Sequence, residues 1–361
     1  MTMSSFGGRS VKAAVSCLLF VATLEACTRL EAWWRWGAPF WGPYSSEILH
    51  VTDELGTRNR PGARYEKWSI NSAGFRGPEV SVEKAPGVVR VGVAGASEVF
   101  GLYESPEKDL TAQLGALLAE AAPGRFELVN LASAGMSPPR IRELFERWAA
   151  RFDFDIVVVY PTPAFYLDIE PPQRTSDLAQ APRGSDAGGL HSRLPDKAWR
   201  SARERLPAAM QAWLKGMEIE RARRAQPPDW VWSSPPAERV GRFAVDMREL
   251  VQSLRRAGVR VILATHAHRF SRPIRDDAAA QLVGWVRFYP RATGECLIEM
   301  EDRANEVVRT IGREQGLPVV DVQEAVGKDP RHYADFSHFT DAGAAQAAVS
   351  LAREILGWKS G

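Results

Sequence analysis

Val88-Val89-Arg90-Val91-Gly92-Val93-Ala94-Gly95-Ala96-Ser97-Glu98-Val99-Phe100-Gly101 opens with a β-branched run and closes in small residues around a serine. The run is nearly continuous in apolar character, as expected for a strand covered on both faces. Four further runs share that character: Phe126 to Leu131, Phe154 to Tyr160, Val259 to Thr265 and Leu317 to Val322. Between them, apolar residues recur at helical spacing. The sets are Leu110, Leu114, Leu117 and Leu118; Ile141, Leu144, Phe145 and Trp148; Phe243, Met247, Leu250, Val251 and Leu254; and Ala304, Val307, Val308 and Ile311. Strand and helix in alternation predict an α/β fold, flavodoxin-like and three-layered α/β/α, around a parallel sheet of about five strands. In such a sheet, reactive groups gather beyond the carboxyl ends of the strands, which is where Ser97 falls.

Two stretches break the rhythm. Residues 162–238, proline-flanked and arginine-rich over Arg200–Arg224, read as a helical insertion forming a lid or cap, and Arg269–Gly294 reads as a shorter irregular insertion. The arginines, among them Arg203, Arg205, Arg221 and Arg223, fit a solvated helical face. Upstream, residues 45–87 carry Leu55-Gly56, Pro61-Gly62 and Asn71-Ser72-Ala73-Gly74-Phe75-Arg76-Gly77, and read as an irregular lead-in with few helices. The repeating domain then occupies 88–358.

The whole chain has 361 residues, 46 basic against 44 acidic, and a net charge of +2. No strong field exists to draw in a polyanion, so nucleic acid is not an expected partner. Three cysteines, Cys17, Cys27 and Cys296, offer no disulfide framework within the folded part. At the N-terminus, Arg9 and Lys12 precede a mostly apolar run from Ala13 to Ala26, and Trp33, Trp34, Trp36 and Trp41 follow, as indoles do at a membrane interface. Residues 1–44 are therefore expected to form a single signal anchor with an interfacial belt, holding the rest of the chain outside the cytoplasm at the cell membrane. Leu24-Glu25-Ala26-Cys27 also resembles a lipoprotein processing box, with an atypical glutamate.

Ser97 follows a strand and has glycine two residues before and four after, so it stands at a turn where a hydroxyl is exposed and backbone N–H groups are close. Asp335-Phe336-Ser337-His338 follows the last strand and precedes a helix beginning near Thr340-Asp341. Loops after the first and last strands of a parallel sheet open on one edge. His338 could therefore take the Ser97 proton while Asp335 orients the imidazole.

With these blocks in place the sequence resembles the GDSL/SGNH hydrolase superfamily from about Asn71 to Gly343. The usual Gly-Asp-Ser appears as Gly95-Ala96-Ser97, and Asp-x-x-His is intact at Asp335 to His338. The second block corresponds to Asn130-Leu131-Ala132-Ser133-Ala134-Gly135, and the resemblance implies that Gly135 and the Ser97 backbone hold an oxyanion. The third block, usually Gly-x-Asn-Asp, is replaced by Tyr160-Pro161-Thr162-Pro163, so that Thr162 or a residue of the insertion is left to substitute as donor, or turnover is slowed or lost. The implied activity is hydrolysis of an acyl ester, an acetyl group on a cell-envelope carbohydrate being the model substrate. No cofactor is implied. Two rivals stand beside it. An O-acyltransferase on envelope polysaccharide uses the same acyl-enzyme, but its relatives generally place the Asp-His element before the serine. A non-catalytic envelope-binding protein could keep the fold with a degraded oxyanion hole.

His266 and His268 follow the fourth strand at alternate positions, pointing to one side. Without a third ligand of matching spacing they are expected to line the substrate pocket or simply to pack, rather than hold a metal.

Overall fold

Five strands form the parallel sheet of the computed structural model, which describes residues 5–42, 44–167, 192–224, 226–227, 229–274 and 276–357. They are preceded by β1 (His50–Asp53), β2 (Gly56–Asn59), β3 (Arg64–Tyr65) and β4 (Trp68–Ser69). The sheet strands are β5 (Val89–Gly95), β6 (Phe126–Asn130), β7 (Ile156–Tyr160), β8 (Arg260–Ala264) and β9 (Val319–Val320). Their order across the sheet is β6-β5-β7-β8-β9. The chain thus steps to one side of β5 and then crosses to the other, which opens a crevice at the carboxyl end of β5.

Alternate residues along each strand feed two separate cores. Val157, Val159, Val261 and Leu263 pack on α4 (Pro138–Arg147), α7 (Ala237–Arg256) and α9 (Gly294–Gln315). On the other face, Val91, Val93, Ile156, Val158 and Ile262 meet α3 (Leu110–Ala121) and α11 (Asp341–Leu356). Three layers result, with all four helices expected from the apolar spacing in place.

Residues 45–87 depart from the irregular segment expected. Antiparallel ribbons pair β1 with β2 and β3 with β4, in strands of only two to four residues. Runs that short show no alternation that could announce them. The ribbons lead to Arg76, whose N–H donates to the Asn130 carbonyl at 3.3 Å and extends the pairing to the end of β6.

Within 162–238, the helices α5 (Leu194–Arg205) and α6 (Ala208–Arg224) are described, while 168–191 lie outside the described residues. Arg269–Gly294 is not irregular as expected, because it contains α8 (Asp276–Phe288). Trp285 of that helix is 1% exposed and stacks on Phe336 at 5.3 Å and on Phe270 at 5.9 Å.

The N-terminal helix α1 (Ser5–Trp36) is long and apolar enough over Val11–Trp36 to cross a membrane. Leu18, Leu19 and Phe20 stand more than 60% exposed on it. Its second half instead docks on the body. The Glu25 carboxylate accepts hydrogen bonds from Ser192 Oγ, Arg193 N and Leu194 N at the start of α5. Arg29, buried on α1, donates to Glu25 at 2.6 Å and to the Phe40 carbonyl at 2.6 Å.

Candidate active site

β5 ends at Gly95, and α2 (Ser97–Phe100) starts at once. That change of direction needs glycine: a Cβ on Gly95 would lie 2.8 Å from the Tyr160 carbonyl oxygen and 2.6 Å from Val99 Cγ2. The short helix ends at Gly101, whose φ of 76° lies in the left-handed region. Arg76 and Trp68 from the lead-in donate to the Gly101 carbonyl at 3.1 and 3.0 Å. Arg76 also pairs with Asp109 at 3.3 Å. The segment preceding the sheet is thereby part of the scaffold of the Ser97 turn.

From β9, the edge strand three places from β5, the chain that follows returns to the same point. Ser97 Oγ lies 2.8 Å from His338 Nε2. On the far side of the ring, Nδ1 meets both Asp335 oxygens, at 2.9 and 2.8 Å. The Asp335 carboxylate is fixed by the N–H groups of Ser337 and His338, at 3.1 and 3.0 Å. With Nδ1–H donating to Asp335, Nε2 is left free to accept the serine proton, the arrangement that a nucleophile, base and orienting acid require. Burial disfavours a charge on His338, but the hydrogen bond it donates to Asp335 and the charges of Glu98 and Asp335 outweigh it, so its pKa is raised. Tyr103 and Phe336 flank the ring at 5.3 and 5.7 Å between centroids.

Gly135 lies in the turn after β6 with φ of 76°, exposed. Asn130 couples that loop to the Ser97 turn, its Nδ2 donating to the Val99 carbonyl at 2.9 Å while its Oδ1 accepts from Ala132 N at 3.0 Å.

Thr162 is placed otherwise than expected, and the two histidines take the packing alternative rather than the pocket. The Thr162 hydroxyl donates to Glu98 Oε2 at 3.0 Å and is buried, so it is committed to a carboxylate instead of standing free as an oxyanion donor. His266 and His268 are 1% and 0% exposed and present no surface to a substrate. His266 Nδ1 contacts Glu301 Oε2 at 2.7 Å, and Asn305 clamps the His266 backbone through bonds of 2.7 and 2.9 Å. His268 stacks near Trp285 and lies beside Lys328 and Asp302. Both rings turn toward α9, as alternate spacing implies, and α9 supplies acids that absorb them.

Glu98 is the residue that sequence reasoning passed over. At 2% exposure it sits beneath Ser97, with Oε2 3.5 Å from Ser97 Oγ. Oε1 accepts from Ser337 Oγ at 2.9 Å and lies 3.4 Å from His266 Nε2, an ion-pair spacing rather than a short hydrogen bond. Burial opposes its charge, yet His266 and His338 more than offset this and hold the carboxyl below the usual range. His266, which burial alone would make less basic, is raised to about 10 by Glu301 and Glu98. The signals were there to read. Glu98 interrupts an otherwise apolar turn, and Glu301 and Asn305 fall on the apolar face of α9 among Leu297, Ala304 and Val308.

The central parallel sheet, with serine after its first strand and Asp-x-x-His before its last helix, has the three-layer α/β/α form and the site placement that the resemblance to the GDSL/SGNH hydrolases implies. Solved structures similar to this chain include a lipase/acylhydrolase from Enterococcus faecalis, 14% identical over 75% of this chain and 96% of the other, with a TM-score of 0.44. An acetylxylan esterase from Geobacillus stearothermophilus, as a catalytic mutant, is 14% identical over 77% and 98%, also at 0.44. A GDSL-like lipase from Bacteroides thetaiotaomicron is 9% identical over 74% and 87%, at 0.40. No family model matches the sequence, and no curated protein does.

Proposed function

We propose that the protein is a membrane-tethered serine esterase that removes an acyl group, acetyl foremost, from an ester of a cell-envelope carbohydrate. The observation that carries this reading is the 2.8 Å contact between Ser97 Oγ and His338 Nε2, with Asp335 on the far side of the ring. Ser97 Oγ attacks the acyl carbon as its proton passes to His338 Nε2. The protonated imidazole then gives that proton to the departing alcohol oxygen as the ester C–O bond breaks, leaving acyl-Ser97. Water repeats the sequence, its proton going to His338 and returning to Ser97 as the carboxylic acid leaves. The N–H groups of Ser97 and Gly135 receive the oxyanion. α1 supports the tether, since its exposed apolar half suits lipid and its second half is bonded to the body.

The experiment is labelling with a fluorophosphonate probe and hydrolysis of short-chain p-nitrophenyl esters by full-length protein in detergent. Labelling of Ser97 and turnover lost in Ser97→Ala are expected; absence of both in wild type sinks the esterase reading. The engagement of Thr162 by Glu98 favours one second reading, a non-catalytic envelope-binding protein, because that hydroxyl is then not free to hold the oxyanion. Glycan binding that survives Ser97→Ala, with no turnover by wild type across an ester panel, is its signature.

A further inference from the structure

Acyl transfer through Ser97 and His338 does not by itself call for a second carboxylate beneath the nucleophile. A buried acid is costly unless paired and hydrogen-bonded, and one that faces a serine and a base bears on their charge states. Glu98 is more fully satisfied than packing demands. Thr162 comes to it from the loop after β7, Ser337 from the loop that carries His338, and His266 from the loop after β8. These loops follow three different strands, and Glu98 is where they meet.

We propose that Glu98 is a positioning residue for the Ser97 and His338 pair, joining the loops that carry them and stabilising the imidazolium formed when Ser97 gives up its proton. This rests on the esterase reading and extends it. Asp335 orients His338 from the Nδ1 side, whereas Glu98 acts from the side of the serine. Ser337, next to His338, bonds Glu98, so the loop cannot move from Ser97 without breaking a buried hydrogen bond. The His266–Glu301 pair keeps Glu98 ionised, and Asn305 holds His266 in place. The charged and titratable groups that face this pair from the surrounding elements are Asp335 on the His338 loop, Tyr103 and Glu104 after α2, Tyr160 at the end of β7, His266 after β8 and Glu301 on α9. Of these, Asp335, Glu98 and Glu104 favour a charged His338.

The test is the pH dependence of p-nitrophenyl acetate hydrolysis by full-length wild type, Glu98→Gln and Glu98→Asp in detergent micelles, with His338 titrated by NMR of labelled imidazole. Glu98→Gln keeps the shape and one acceptor oxygen, so one of the Thr162 and Ser337 hydroxyls still donates while the other must turn to accept from the amide, and it removes the charge. Its ascending limb in kcat/KM is expected to move to lower pH by about half a unit to one unit, with a matching fall in the His338 midpoint. The plateau kcat is expected to drop about tenfold or more, with KM little changed, as a loss of positioning requires. Glu98→Asp retains the charge at a shorter reach, so its limb stays at the wild-type pH while kcat falls. Coincident His338 midpoints and limbs in wild type and Glu98→Gln, with plateau kcat within twofold, overturn the proposal. Should Glu98→Gln fail to fold, Glu98→Asp decides: lowered kcat at an unmoved limb supports it, and wild-type kcat overturns it. Failure of the esterase reading would appear separately, as wild type that neither labels nor turns over. The Glu98 proposal then stands or falls on the His338 midpoints, which need no turnover.

Discussion

Replacing Asp335 with asparagine isolates the electrostatic half of the proposed mechanism. The backbone donors Ser337 N and His338 N reach Asp335 Oδ1 at 3.1 and 3.0 Å, and asparagine can keep both through its carbonyl oxygen. Its amide then faces His338 Nδ1, where Asp335 Oδ2 lies at 2.8 Å, and a donor there compels Nδ1 to accept. The ring proton is driven to Nε2, which points at Ser97 and can no longer take its proton. In a hydrolase with this constellation, such a change costs about 10⁴ in kcat, equivalent to about 5.5 kcal/mol in the barrier. Here Glu98 still supports the imidazolium, so a loss of about 10³ to 10⁴ in kcat/KM for p-nitrophenyl acetate at pH 8 is expected. Thermal melting by circular dichroism should show a nearly unchanged fold. A loss smaller than tenfold in a well-folded Asp335→Asn variant would refute the argument, because Asp335 would then not set the tautomer of His338.

Gly95→Ala forces a Cβ to 2.8 Å from the Tyr160 backbone oxygen, so Ser97 must shift; probe labelling and melting temperature should both fall, and normal labelling would contradict the close approach. Trp285→Ala empties a fully buried site between Phe270 and Phe336 and should cost about 3–5 kcal/mol in denaturant titration, with activity reduced at the Phe336–His338 contact. His266 binds a proton in the folded state up to about 10 but only to about 6.5 when unfolded. Its contribution is complete below pH 6.5 and lost as pH rises toward 10, so the melting temperature should decline across that window. His266→Gln should flatten this decline, and an unaltered slope would show that His266 is not the group responsible.

The sheet was readable because parallel strands covered on both faces are written as unbroken apolar runs, and β7, with five buried residues in succession, is the plainest case. β9 is shorter than its run, two residues where Leu317 to Val322 was expected, because Asp321 turns away to cap the next helix, α10 (Val322–Val326), through Glu324 N. The meeting of Ser97 with His338, 241 positions apart, followed from topology alone. What escaped was of two kinds. The β1–β4 ribbons are too short for a period to accumulate, and α8 was hidden by Pro273 and the arginines around it. The Glu98 network was hidden for another reason: each member looks ordinary where it stands, and its meaning depends on burial and on partners from distant loops. Thr162 shows the cost of that gap, since a hydroxyl at the right strand end was read as free when a neighbouring acid had claimed it.

The stacking of Trp285 on Phe336 has a mechanical consequence. Phe336 lies two residues from His338, and its ring is nearly parallel to the indole, at 5°. α8 therefore braces the base-bearing loop from behind, and that loop and the helix share a boundary across which neither can loosen alone. Damage to the brace, however far from the serine in sequence, would be felt as a misaligned base.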